Sequence, residues 1–225
     1  MEILYYNIMT HIEFLTDIIK ASQYGHPIYT KQLSASVAAK FALEKKKADT
    51  ATAVSMKRIL ERKLIPNLKC YQRGIYYLAK STPFGDTPID SNLLVFDRYL
   101  ADDTGYESGL GELYALGLTS QMPKRRLFVS NSAYGSTRID RKNDIIIKPP
   151  RTTVHKGNKA YLQILDAIDL VDKAFIDAEN PCKIILFYIK ASNMDFAKLL
   201  ALANNYYSRD VVLKLANIAS AGGTE

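Results

Sequence analysis

Apolar positions along the first third of the chain follow a helical rhythm and then change to a strand rhythm. Over 5–23, Ile8, Phe14, Leu15, Ile18 and Ile19 recur at helical spacing, and Gly25 and Pro27 close the run. Thr30 reads as the N-cap of a second helix with Leu33, Val37 and Phe41 at four-residue intervals. The run "EKKKADT" reads as a turn. A third helix over 49–63 places Ala53, Met56, Ile59, Leu60 and Leu64 inward, and Thr50, Ser55, Arg58 and Arg62 outward. After Pro66, the runs "LKCYQ" and "IYYLAK" are rich in Tyr and Ile and meet at Arg73–Gly74, which predicts a hairpin.

Pro83, Gly85 and Pro88 then punctuate "STPFGDTPID". The expected organisation is a domain over 1–80, a linker over 81–89 and a second domain over 90–225. The second domain reads as a helix near 90–100, then a helix near 108–116 striped by Leu110, Leu113 and Leu116 and ended by Gly117. "RLFVSN", "STRI" and "DIIIKPP" predict a short antiparallel meander. "KAYLQILDAIDLVDK", "MDFAKLLALANNYY" and "RDVVLKLANIA" predict further helices, the first with Leu162, Leu165 and Ile168 on one side. The fold class is therefore α+β: an N-terminal winged helix-turn-helix followed by a mixed α/β domain with a small antiparallel sheet.

Charge turns this pattern towards a partner. The net charge is +7, and residues 1–80 hold 13 Lys and Arg against 6 Asp and Glu, while residues 81–225 hold 17 of each. Three helices followed by a basic hairpin is the order of a winged helix, whose helix fits a DNA major groove while the hairpin grips phosphate. The DNA-binding candidates are Lys46, Lys47, Thr50, Ser55, Arg58 and Arg62 on or beside the third helix, and Lys69, Tyr71 and Arg73 on the hairpin. Winged helices also serve as protein–protein modules, and a small helical domain with solvated cations fits the same pattern.

Other chemistry finds less support. Glu13 and Asp17 interrupt the first apolar run, which excludes a membrane span there and predicts a cytoplasmic protein. Two cysteines, Cys70 and Cys182, make no disulfide framework, and His11, His26 and His155 lack zinc-ligand spacing, so no metal or cofactor is expected. The four glycines Gly105, Gly109, Gly111 and Gly117 resemble a phosphate loop only superficially. No Lys follows at the required spacing, and "YLADDTGYES" does not read as the strand a dinucleotide fingerprint needs. Asp166, Asp169 and Asp172 recur every three residues, as a metal-binding carboxylate row or, far more commonly, as a solvated helix face. The chain is expected not to be an enzyme; a metal-dependent nucleic-acid enzyme using that row is the third reading.

"RGIYYLAKSTPFG", "YLADDTGYESGLGELYALGLTSQMP", "NKAYLQILDAID" and "NYYSRDVVLKLA" together resemble the AbiEi family. These are antitoxins and transcriptional repressors of bacterial type IV toxin–antitoxin, phage-exclusion systems. The resemblance spans about 30–220, and Tyr106, Ser108, Gly109, Leu116, Gly117, Leu118, Thr119 and Gln121 carry its most specific part. It implies a winged helix bound to inverted repeats in double-stranded DNA of its own promoter, with a homodimer on that DNA, and a second domain that counters a nucleotidyltransferase-type toxin. Tyr106, Ser108, Thr119, Gln121, Lys124 and Arg125 are the candidate partner-facing rim. The third helix has few long polar residues before Lys57, and residues 1–25 lie outside the pattern. A stand-alone winged-helix regulator with a ligand- or protein-sensing second domain is the alternative.

Overall fold

Thr10 and Glu13 open the first helix, α1 (His11–Lys20), with a reciprocal capping box: the Glu13 amide donates to Thr10 Oγ1, and the Thr10 amide donates to Glu13 Oε2 at 2.7 Å. The carboxylate that interrupts the apolar run is thus a helix-start signal. A computed structural model describes residues 9–221, so residues 5–8 of the expected first helix lie outside the described residues. The chain divides into two compact units, one ending at Leu94 and one beginning at Val95. Both units mix helices with small sheets.

In the first unit, β1 (Ile28–Tyr29) leads directly into α2 (Thr30–Phe41). Thr30 is not the N-cap. Tyr29 holds that position, and the Thr30 amide donates to Gly74 O at 2.9 Å. The run expected as a turn, "EKKKADT", instead opens α3 (Lys45–Glu61). Lys and Ala are strong helix formers, and the chain reverses earlier, where Ala42 takes a left-handed φ of 50°. Ala48, Thr52, Ser55, Met56 and Ile59 form its buried stripe. Ser55, expected outward, is therefore 5 % exposed, whereas Ala53 and Leu64, expected inward, are exposed.

β2 (Leu68–Gln72) and β3 (Ile75–Leu78) form the expected hairpin about Arg73 and Gly74, the latter at φ 85°. A bulge between Cys70 and Gln72 shifts the register. β1 pairs with β3, giving an antiparallel sheet in the order β1-β3-β2. Leu15 and Ile19, Leu33 and Val37, and Met56 and Ile59 meet Leu68 and Leu78 in one core. The stretch expected as a linker carries β4 (Ser81–Thr82) and β5 (Gly85–Asp86), a small hairpin within this unit. α4 (Ser91–Val95) follows, and a π-helical turn, Phe96–Leu100, extends it.

The second unit is built on a four-stranded sheet. Its strands are β6 (Gly105–Ser108), β7 (Arg126–Ser130), β8 (Arg138–Asp140) and β9 (Ile145–Lys148), in the order β6-β7-β9-β8. Two expectations change here. β6 lies in the stretch read as no strand, and β7 pairs with β9 in parallel, so the sheet is not a meander. Gly105 does not turn the chain. A Cβ there would stand 2.3 Å from Tyr99 O and 2.6 Å from Val129 O, so glycine permits a close backbone approach. One sheet face packs Phe128, Ile145 and Ile147 with Val95 and Tyr99; the other packs Tyr106 and Val129 with Leu162.

α5 (Leu110–Ala115) follows β6 and ends as expected at Gly117, where the Gly117 amide donates to Tyr114 O and that of Leu118 to Leu113 O. α6 (Lys159–Leu170), α7 (Pro181–Ala191), α8 (Phe196–Tyr206) and α9 (Arg209–Ser220) complete the unit around Leu165, Ile185, Leu199 and Leu215. Among the described residues, no helix is long and apolar enough to cross a membrane.

Candidate functional site

The outward side of α3 is the most basic helical face of the first unit. Lys46, Lys47, Thr50, Lys57 and Arg58 are exposed there, with Val54 between them. The first turn of α3 holds Lys45, Lys46 and Lys47 and no acidic residue. Cations at a helix N-terminus oppose the macrodipole, and the N-cap Glu44 is the acidic group beside them. Lys47 stands 3.9 Å from Glu44, and Lys57 3.7 Å from Glu61, both in solvent, where such pairs contribute little. Arg58 and Arg62 have no ion-pair partner among the described residues, and Arg62 caps the helix. The Thr50 hydroxyl donates back to Lys46 O at 3.0 Å and keeps its lone pairs.

At the hairpin, Arg73 is exposed at the tip beside Gly74. Lys69 is not free: its ammonium lies 2.8 Å from Asp86 on β5, which raises its pKa through that hydrogen bond and charge. Tyr71 is half-buried in the bulge. The structure therefore leaves Lys46, Lys47, Thr50, Arg58, Arg62 and Arg73 on the surface, engages Lys69, and buries Ser55. Lys57 and Val54 are the exposed positions the sequence reading left out, because its inward stripe was drawn through Ala53 rather than Thr52.

The expected rim of the second unit separates into two sets. Gln121, Lys124 and Arg125 are exposed, and Arg125 pairs with Asp144. Tyr106, Ser108 and Thr119 are 2 %, 6 % and 4 % exposed, so they are not surface contacts. Thr119 lies directly behind the Gly117 cap, and its hydroxyl accepts the Gln121 amide at 3.2 Å.

Tyr106 and Ser108 instead converge on Asp166. Their hydroxyls donate to Asp166 Oδ2 at 3.1 Å each, and Tyr207 Oη donates to Oδ1 at 2.8 Å. Arg151 lies 3.8 Å from Oδ1, stacks over the Tyr207 ring at 4.4 Å and bonds Asp169 at 2.8 Å. Burial first, and then the Asp166 carboxylate, push the Tyr106 and Tyr207 phenols far up. Both stay protonated and act as donors. Lys173 holds Asp169 at 2.6 Å, and Lys214 holds Asp172 at 2.8 Å. Asp166 and Asp169 thus leave the solvated face expected of the row, while Asp172 stays exposed. Asp166 ties β6, α6 and Tyr207 together, and its neighbours are distributed among separate cations.

Among the described residues, no group of three or more His, Cys, Asp or Glu side chains could hold a metal ion. Compared with known proteins, the chain matches no family model, and the curated proteins yield no match either.

Proposed function

We propose that the first unit is a winged helix-turn-helix that binds duplex DNA, with α3 in the major groove and the β2–β3 hairpin against the backbone. On this reading the whole chain is an autorepressor and AbiEi-type antitoxin acting against a nucleotidyltransferase toxin. One observation supports the DNA half most: a lysine-rich first turn of α3, set against its own dipole, on the same exposed side as Arg58. The element order α1-β1-α2-α3-β2-β3 agrees with it. The antitoxin half rests on the sequence resemblance, and Gln121, Lys124 and Arg125 are the rim residues exposed for a partner.

The test uses the full chain and a labelled duplex carrying the inverted repeats upstream of its own gene. With about four to six phosphates neutralised, the log–log salt slope lies near −4 to −5. Salt-insensitive binding, or none, removes the DNA assignment. Co-expression with the neighbouring toxin tests the other half: Gln121→Ala with Lys124→Ala lowers growth rescue while duplex binding persists.

A ligand-sensing second unit is the competing reading. A cavity of about 190 Å³ lined by Ile168, Val171, Cys182, Ile185 and Lys214 is its best support. Small-molecule sites usually span about 300–1,000 Å³, so this cavity is undersized for a regulatory ligand.

A further inference from the structure

Charge is strongly segregated along the second unit. Residues 122–160 hold ten Lys and Arg against two Asp, whereas residues 95–121 hold one Arg against five Asp and Glu. Both Asp residues of the basic segment are engaged. Asp140 accepts the Tyr99 hydroxyl at 2.9 Å and lies 3.6 Å from Arg98; Asp144 pairs with Arg125.

Of the ten cations, Arg125, Arg126, Arg151 and Lys159 pair with carboxylates, while Arg138 and Arg141 lie at one sheet edge. β8 is the last strand and pairs only with β9. Arg138 opens it, opposite Ile147. Arg141 is exposed in the turn that follows it. The Arg125–Asp144 pair holds Lys124 at that same end, because β7 and β9 run parallel with Arg126 opposite Ile145. At the other end, Arg138 donates to Ser132 O at 3.3 Å, which ties its guanidinium to the loop carrying Tyr134. Tyr134 is 86 % exposed and Ile139, between the two arginines, 50 %.

We infer that this edge is a binding surface for single-stranded nucleic acid, distinct from the duplex-binding face proposed for α3. The charge specifies a polyanion, since Arg138 at the start of β8, Arg141 just after it and Lys124 are exposed cations. The exposed Tyr134 ring specifies a strand whose bases are unstacked, because a duplex hides the base faces that an aromatic side chain stacks on. A three-residue edge strand is too short to hold an added peptide strand by main-chain bonds, and a partner recognised by charge alone has no use for Tyr134.

The experiment follows fluorescence anisotropy of labelled 12-nucleotide oligo(U) and oligo(dT) with the full chain, with unlabelled duplex in excess to occupy α3. Binding is expected, and Tyr134→Ala weakens it by roughly 5- to 150-fold, the range of one lost base stack. Arg138→Ser with Arg141→Ser makes the salt slope shallower by about 1.4. Both variants keep the wild-type melting temperature and bind duplex within about twofold of wild type, as expected for exposed positions. The inference is overturned if neither oligonucleotide binds at low salt, or if binding survives both variants. It is also overturned if Arg58→Ala abolishes oligonucleotide binding, which would place the strand on α3. Equal binding of poly-glutamate, indifferent to Tyr134→Ala, would overturn it in favour of an acidic protein partner. Failure of duplex binding alone removes the α3 assignment and leaves this one standing.

Discussion

On α3, the cations at Lys46 and Arg58 stand in solvent without an ion pair among the described residues; on α6, the Asp166 carboxylate accepts three hydroxyls and faces Arg151. A charge taken from water is tolerable only when its lone pairs or protons are met, and Asp166 meets that condition. The α3 charges were never desolvated, so they add little to folding and remain available to a partner. The cores invert this contrast. The buried hydroxyls of Thr16, Thr30 and Thr52, all in the first unit, have no hydrogen-bond partner among the described residues. Pairing thus marks where a polar group supports the fold, while an unpaired surface charge stays with water.

The largest expected effect breaks the paired side. Asp166→Ala strands the Tyr106, Ser108 and Tyr207 hydroxyls and the Arg151 guanidinium, and urea unfolding should show a loss of about 3–5 kcal/mol. A loss under about 1 kcal/mol would mean that water satisfies the cluster instead.

Glu112 sharpens the contrast through pH. Burial pushes its carboxyl up to about 7 from an ordinary 4.5, with the Gln163 amide opposing and Glu107 reinforcing the shift. The native state then binds more protons than the unfolded state between those values. Its contribution to stability is full below about pH 4.5 and is lost as pH rises through about 7. Glu112→Gln keeps a group that can accept from Gln163 and removes the titration. Relative to this variant, the wild type should lose roughly 2–3 kcal/mol between pH 4.5 and pH 8.

On the unpaired side, Arg58→Ala should change stability by less than about 0.5 kcal/mol and weaken cognate duplex more than random duplex, by about 1–3 kcal/mol. Arg73→Ala should weaken both alike. Equal losses on both sequences would reassign Arg58 to phosphate. On the inner side of the same helix, Thr52→Val removes an unpartnered hydroxyl and should raise stability by about 1 kcal/mol, readable as a higher urea midpoint. The smallest effect is Asp86→Ala, which frees Lys69 and should steepen the salt slope of duplex binding by about 0.9.

Helices and the hairpin were legible in the sequence because their signals are local. Gly74 and Gly117 turn where expected, and Leu162, Leu165 and Ile168 stripe α6 at three-residue intervals. On α3 the inward stripe was drawn through Ala53 rather than Thr52, which put Ser55 on the wrong side. β6 escaped detection because glycine, needed there for its approach to Tyr99 and Val129, reads as a breaker. The parallel β7–β9 pairing and the Asp166 cluster were invisible for a different reason. Tyr106, Ser108 and Tyr207 lie 60, 58 and 41 residues from Asp166, and no local pattern encodes such a meeting. Tyr106 and Ser108, expected to face a partner, instead hold the interior through Asp166.

The pairing of β1 with β3, together with the Thr30 amide on Gly74 O, fastens the two ends of a segment that contains α2 and α3. Closing a loop of about 45 residues is slow compared with forming either helix or the hairpin, because its entropic cost precedes its few contacts. The clasp therefore forms late in folding and opens early in local fluctuations. Its Thr30 amide should exchange with solvent sooner than the amides at the centre of α3, in a motion that frees the hairpin tip while leaving the helices intact. Arg73 would then move on a clock of its own, set by a two-residue strand rather than by global unfolding.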